Sequence, residues 1–136
     1  MRMTIVAAAL MVAVGVQGVA AQDAASAKKE VSFKADVTPL VKKYCISCHA
    51  EEEYNPSEFS MDTYEITKKG GKRGPAWVAG KASESILVQK LWEKPPFGER
   101  MPLNSKKKIA AGTAKWMTPE EIRVFADWVD QGARNN

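Results

Sequence analysis

The stretch KKYCISCHAEEEY, residues 42 to 54, contains both cysteines and the only histidine of a 136-residue chain. Cys45, Cys48 and His49 fall within five consecutive positions, a concentration of thiol and imidazole that admits three chemistries. A disulfide between Cys45 and Cys48 would constrain little of the chain and would leave His49 without a task. The thioredoxin-like use of C-x-x-C belongs to a βαβ pattern, which this sequence does not display. Zinc in a structural site takes four ligands, usually nitrogen or sulfur. With two cysteines and one histidine available, a carboxylate from Glu51 to Glu53, a water or a second chain would have to complete the set. The third chemistry uses every residue: two thiols add to the two vinyl groups of a haem, and the adjoining imidazole binds its iron. Two intervening residues let the sulfurs reach opposite vinyls, and the histidine that follows falls beneath the metal. Cys45, Cys48 and His49 read as one device for covalent attachment of a single haem c.

The chain has no second histidine, so the opposite axial ligand has to be of another kind. Methionine thioether is the usual alternative and raises the reduction potential relative to histidine. Beyond the N-terminal segment the methionines are Met61, Met101 and Met117. Met117 adjoins a helix cap, where it suits packing as a staple. Met61 follows His49 by only 12 positions, in a stretch that also suits a short buried helix. Met101 lies in GERMPLN, in a loop before Pro102, whose fixed ring stiffens the approach. The loop context favours Met101, with Met61, Met117 and an open site as alternatives.

The N-terminus reads MRMTIVAAALMVAVGVQGVAAQD: one basic residue, an uncharged apolar run from Ile5 to Val16, then small residues. Val19 and Ala21 sit three and one positions before a cut preceding Gln22, the layout of a secretory signal peptide over residues 1–21. The alternative is a retained membrane anchor. Its apolar core is shorter than the roughly 20 residues of a bilayer span. Export to the periplasm follows, and it agrees with c-type attachment, which bacteria carry out outside the cytoplasm. Removing residues 1–21 takes one of 20 basic residues and leaves 19 against 16 acidic ones. That mild balance lacks the charge density of a nucleic-acid binder. The remaining length suits one domain, soluble after cleavage.

Residues 22–32 are small and polar, the composition of a flexible leader, and the domain proper spans 33–136. Phe33, Val37, Leu40, Val41 and Tyr44 line one face of a first helix, with Pro39 placed to reset its start near Thr38. Residues 50 to 81 are rich in glycine, proline and asparagine and keep helical periodicity only around Met61 to Lys69. A second helix is expected from Ser83 to Lys94, where Pro95-Pro96 stops it, and a loop from 95 to 116. Thr118-Pro119-Glu120-Glu121 combines a cap, an N-terminal proline and a capping-box glutamate. Ile122, Phe125, Ala126 and Val129 then form an apolar face, flanked by Trp128, and Gly132 ends the helix. The expected fold is all-α, with long loops around a large apolar body that fills a thin core.

The chain resembles the monohaem class I cytochromes c, and more closely the planctomycete-type cytochrome c domains. The resemblance rests on DVTPLVKKYCISCHA, GGKRGPAWVAGKASESILVQKL, RMP and MTPEEIRVFADWVDQGA, which together run through nearly all of the chain beyond the signal. It implies an all-α fold whose first and last helices cross beside the haem, with His49 and Met101 as axial ligands. It also implies that Pro75 lies near His49, where a backbone carbonyl fixes the imidazole tautomer. One departure is the long, lysine-rich segment NSKKKIAAGTAKW between Met101 and the last helix.

Lysines cluster at 42–43, 68–69, 72 (with Arg73) and 106–108, either as a solvated face or as a rim that steers acidic partners. Glu51 to Glu53 interrupt any uniform positive patch. Trp92 and Trp128 suit helix packing, whereas Trp77, Trp116, Arg73 and Arg100 are candidate donors to haem propionates. The function these residues point to is one-electron transfer, with a redox partner such as a periplasmic dehydrogenase or terminal oxidase. The alternative is a ligand-binding or peroxidase-like haem domain with a labile sixth site. With His49 occupied, no nucleophile–base set remains for an enzyme of the hydrolytic kind.

Overall fold

In the computed structural model, which describes residues 28–53 and 55–136, the first predicted helix divides at its proline. Phe33–Val37 form a wide π-helical turn, and Thr38–Tyr44 form the first α-helix, α1. The cause is local. Proline has no N–H to give the carbonyl four residues back, and its ring crowds that carbonyl, so the turn ahead of it widens. The Thr38 N–H bonds instead to the Phe33 carbonyl, which also accepts from the Thr38 hydroxyl at 2.9 Å. The predicted signal peptide and the first part of the leader lie outside the described residues.

Four further helices follow: α2 over Tyr64–Lys69, α3 over Ile86–Gln89, α4 over Lys106–Ala110 and α5 over Pro119–Asp130. A 3-10 turn, Ala82–Glu84, leads into α3. Among the described residues there is no β-strand, only an isolated bridge between Gly71 and Gly74. The architecture is the small all-α one expected. No described helix is long and apolar enough to cross a membrane.

The capping box of α5 forms as the sequence predicts. The Thr118 hydroxyl accepts from the Glu121 N–H, and the Glu121 carboxylate accepts from the Thr118 N–H. The helix buries Ile122, Phe125, Trp128 and Val129, with Phe125 and Val129 wholly inaccessible. Trp128 therefore belongs to the core and does more than flank it. Its ring meets Trp77 at 4.8 Å and Phe33 at 5.3 Å, and its indole N–H donates to the Arg134 carbonyl at 2.9 Å. Tyr64 joins the cluster edge-on to Phe33 and donates its hydroxyl to the Ala133 carbonyl. The two chain ends of the domain are thus locked by aromatic packing at the geometry such rings prefer.

Four expectations change. α3 ends at Gln89 rather than Lys94, because the next carbonyls are used elsewhere: Lys90 O accepts from the Met101 N–H and Leu91 O from Arg100 Nε. Trp92, just past this end, is 39 % exposed instead of packed. The expected loop 95–116 contains α4, which is capped by the Ser105 hydroxyl and buries none of its residues. Residues 28–32, assigned to the leader by composition, lie along the C-terminus: the Val31 N–H bonds Gln131 Oε1 at 2.7 Å, and Lys28 pairs with Asp127.

Candidate functional site

α1 runs directly into the C-x-x-C-H segment, which continues as tight turns. The Cys45 N–H bonds the Val41 carbonyl, and the Cys48 and His49 N–H groups both bond the Cys45 carbonyl, at 3.1 and 3.0 Å. The turns fix Cys45, Cys48 and His49 relative to one another through backbone bonds. Cys45 and Cys48 do not form a disulfide with each other; Cys45 is half-buried and Cys48 exposed. Burial pushes the Cys45 thiol up to about 12.

His49 faces a cavity of about 620 Å³, within the range of cofactor sites in proteins. Its walls are mostly apolar, with Phe59, Met61, Ala76, Leu87 and Leu91 among them, and Met101 lines the same space. His49 Nδ1 lies 2.7 Å from the Phe59 carbonyl oxygen. A carbonyl only accepts, so Nδ1 carries the proton and Nε2 keeps the lone pair that a metal requires. The carbonyl that sets this tautomer belongs to Phe59, not to the Pro75 segment; Pro75 lines the cavity without making that bond. The Asn55 amide donates to the same Phe59 oxygen, and the Met61 N–H returns to the His49 carbonyl at 2.7 Å. The segment 55–61 is therefore a brace for the imidazole, and no periodicity in the sequence announces it.

A second wall is glycine-dependent. Gly70 has φ +76°, and a Cβ there would stand 1.8 Å from the Gly74 carbonyl oxygen. At Gly71 a Cβ would meet the Ser57 carbonyl oxygen at 2.4 Å. Only glycines let the turn 70–74 close on itself and lie against segment 57–59. Arg73 projects from this turn onto the Phe97 ring, 4.0 Å from its centroid, while Lys90 lies 4.7 Å from the same ring. Partial burial lowers the Lys90 ammonium below its ordinary value.

The sequence-predicted residues separate accordingly. His49, Met101, Met61 and Arg73 border one cavity. Met117 is buried in the core and does not line it, and Trp77 packs in the aromatic cluster. Trp116 stacks under Arg100, 4.7 Å from the guanidinium, and lines a second, separate recess with Tyr44 and Asn104. Lys90 and Phe59 escaped the sequence reading, one as a plain helix lysine and the other as a loop aromatic. Among the described residues no three of His, Cys, Asp and Glu come together as a metal cluster, so the zinc reading lacks its ligand set.

Residues 45–102 match the family model described as Planctomycete cytochrome C, which supports a planctomycete-type cytochrome c domain over that part of the chain. Such a domain implies haem c and haem-based electron transfer. The match opens at Cys45 and closes just after Met101, leaving α1 and α5 outside it. No curated protein and no solved structure matches the chain.

Proposed function

We propose that the protein is an exported one-electron carrier of the class I cytochrome c kind, with one haem c attached through Cys45 and Cys48. The single observation that carries this reading is the placement of His49 and Met101 on one apolar cavity, with His49 held as its Nδ1–H tautomer. The residues fit the group: an imidazole nitrogen kept free for iron, a thioether, and apolar walls with few charges. When bound, the haem supplies the ferric–ferrous couple. The chain's own part is to attach it, to hold the imidazole through the Phe59 carbonyl, and to keep water from the metal with Met101 and the cavity walls.

Periplasmic location follows from the N-terminal sequence and from where c-type attachment takes place. A redox protein with an acidic face, such as a dehydrogenase or terminal oxidase, is the partner this surface suits. From Arg100 to Thr118 the chain has Arg100, Lys106 to Lys108 and Lys115 but no acidic residue, and Leu103 is 65 % exposed. That stretch starts beside the Met101 edge of the cavity.

Absorption spectra of protein matured with haem test the reading, wild type beside Met101→Ala. The wild type shows a c-type reduced spectrum and the weak near-red sulfur-to-iron band, and the variant loses the band. A variant that keeps it shifts the ligand to Met61, the other thioether on the cavity. A high-spin wild type favours the ligand-binding function instead.

A further inference from the structure

Lys90 stands at the C-terminal end of α3, facing both the cavity and the chain that returns to it. Its ammonium donates to the Phe97 carbonyl at 2.7 Å and to the Glu99 carbonyl. Its own carbonyl accepts from the Met101 N–H at 2.8 Å. One residue later, the Leu91 carbonyl accepts from Arg100 Nε at 2.9 Å. Four bonds thus tie residues 97–101 to the end of a four-residue helix, and three of them belong to Lys90.

The rest of the segment has little else to hold it. Gly98 and Glu99 are exposed and Arg100 and Met101 half-buried, and no regular element spans them. Bonds from a charged donor are the strong kind, and here they are partly shielded from water. Lys90 also lies against the Phe97 ring, which Arg73 covers as well, so the same ammonium touches the segment through both backbone and side chain.

We propose that Lys90 is the positioning residue for Met101: its ammonium and its carbonyl together clamp loop 97–101 across the cavity. The assignment rests on the functional reading above, in which Met101 is an iron ligand. Removing the ammonium leaves the Phe97 and Glu99 carbonyls without their donor and frees the loop at its centre, while the aromatic core around Trp128 stays as it is. The sulfur then spends time away from the metal, so the variant differs from wild type in its ligand spectrum and not in its fold.

The test uses the haem-loaded protein as wild type, Lys90→Met and Lys90→Arg, read by amide hydrogen exchange and by the sulfur-to-iron band. In Lys90→Met, the Met101 amide, which the Lys90 carbonyl holds and which closes the loop, exchanges about tenfold faster, the loss expected when bonds to a charged group no longer keep the loop in place. Amides of α5 keep their wild-type rates, and the band weakens. Lys90→Arg keeps charge and donors and retains more of both protection and band. Wild-type exchange in Lys90→Met, or Lys90→Arg loosening as far as Lys90→Met, overturns the clamp. Should Lys90→Met not fold, Lys90→Arg decides alone: a protected loop supports the clamp, and a loop exchanging without protection overturns it. A wild type without the band overturns the Met101 ligand reading, and with it the role given to Lys90. A wild type with the band beside an unchanged Lys90→Met overturns the Lys90 assignment only.

Discussion

The α5 face and the cavity wall are built by opposite means. Around α5 the chain buries its own side chains: Phe33, Tyr64, Trp77 and Trp128 meet ring to ring, and Ile122, Phe125 and Val129 close the gaps. Around the cavity the holding is done by backbone groups and a few polar tips. The Phe59 carbonyl takes His49, the Gly70–Gly74 turn lies on Ser57, and Lys90 gathers the Met101 loop. The first region contains its own hydrophobic filling. The second surrounds a space that its own side chains leave open. The molecule thus keeps a self-sufficient anchor beside a wall whose shape is set by hydrogen bonds.

The largest effect falls on the anchor. Trp128→Ala removes the ring shared by Phe33, Tyr64 and Trp77 and costs about 3–5 kcal/mol, as for other large aromatic truncations in cores. Denaturant unfolding of haem-loaded protein measures it, and both regions fall together because the wall hangs on this core. If the cavity side stayed protected while α5 unravelled, the division drawn above would be wrong. Gly70→Ala comes next and acts on the wall. Its Cβ collides with the Gly74 carbonyl at a φ that side chains resist, for roughly 2–3 kcal/mol. Exchange rises in segments 57–59 and 70–76 while α5 keeps its protection; a uniform loss over both regions would deny the wall its separate character.

The same contrast governs what could be read before the fold was known. The capping box at Thr118, the apolar face of α5 and the stop at Gly132 are local patterns, and each stands where the sequence places it. So does the grouping in C-x-x-C-H, since five adjacent residues need no fold to be neighbours. The loop context singles out Met101, with Met61, Met117 and an open site as alternatives; Met101 and Met61 border the cavity and Met117 does not. The wall was illegible because its bonds join backbone groups far apart in sequence and leave no residue-type signal. Phe59 serves through its carbonyl, which every residue has, and Lys90 looks like any exposed helix lysine. The early end of α3 is the same failure, for the Lys90 and Leu91 carbonyls just past it bond Met101 and Arg100 in a later loop. α4 has three lysines and no buried face, so its cap at Ser105 was the only signal present.

The smallest effect concerns the seam between the two regions. Glu121, in the first turn of α5, accepts from Lys43 at 2.9 Å and from the Tyr44 hydroxyl at 2.8 Å, both in the last turn of α1 just before Cys45. Burial works against its charge, but bonds from Lys43, the Thr118 N–H and Tyr44 outweigh it and hold the carboxyl below its ordinary value. A carboxyl depressed in the folded state contributes stability that is present above its unfolded pKa, near about 4.3, and is lost as pH falls through the lower folded value. Glu121→Gln therefore costs about 1 kcal/mol at neutral pH, with the exposure of Lys43 keeping the figure small. Stability curves of both proteins from about pH 7 down to about pH 3 bring the two together as Glu121 protonates. A gap that stays constant over that range would mean the seam is held by the shape of the side chain, with its charge contributing nothing.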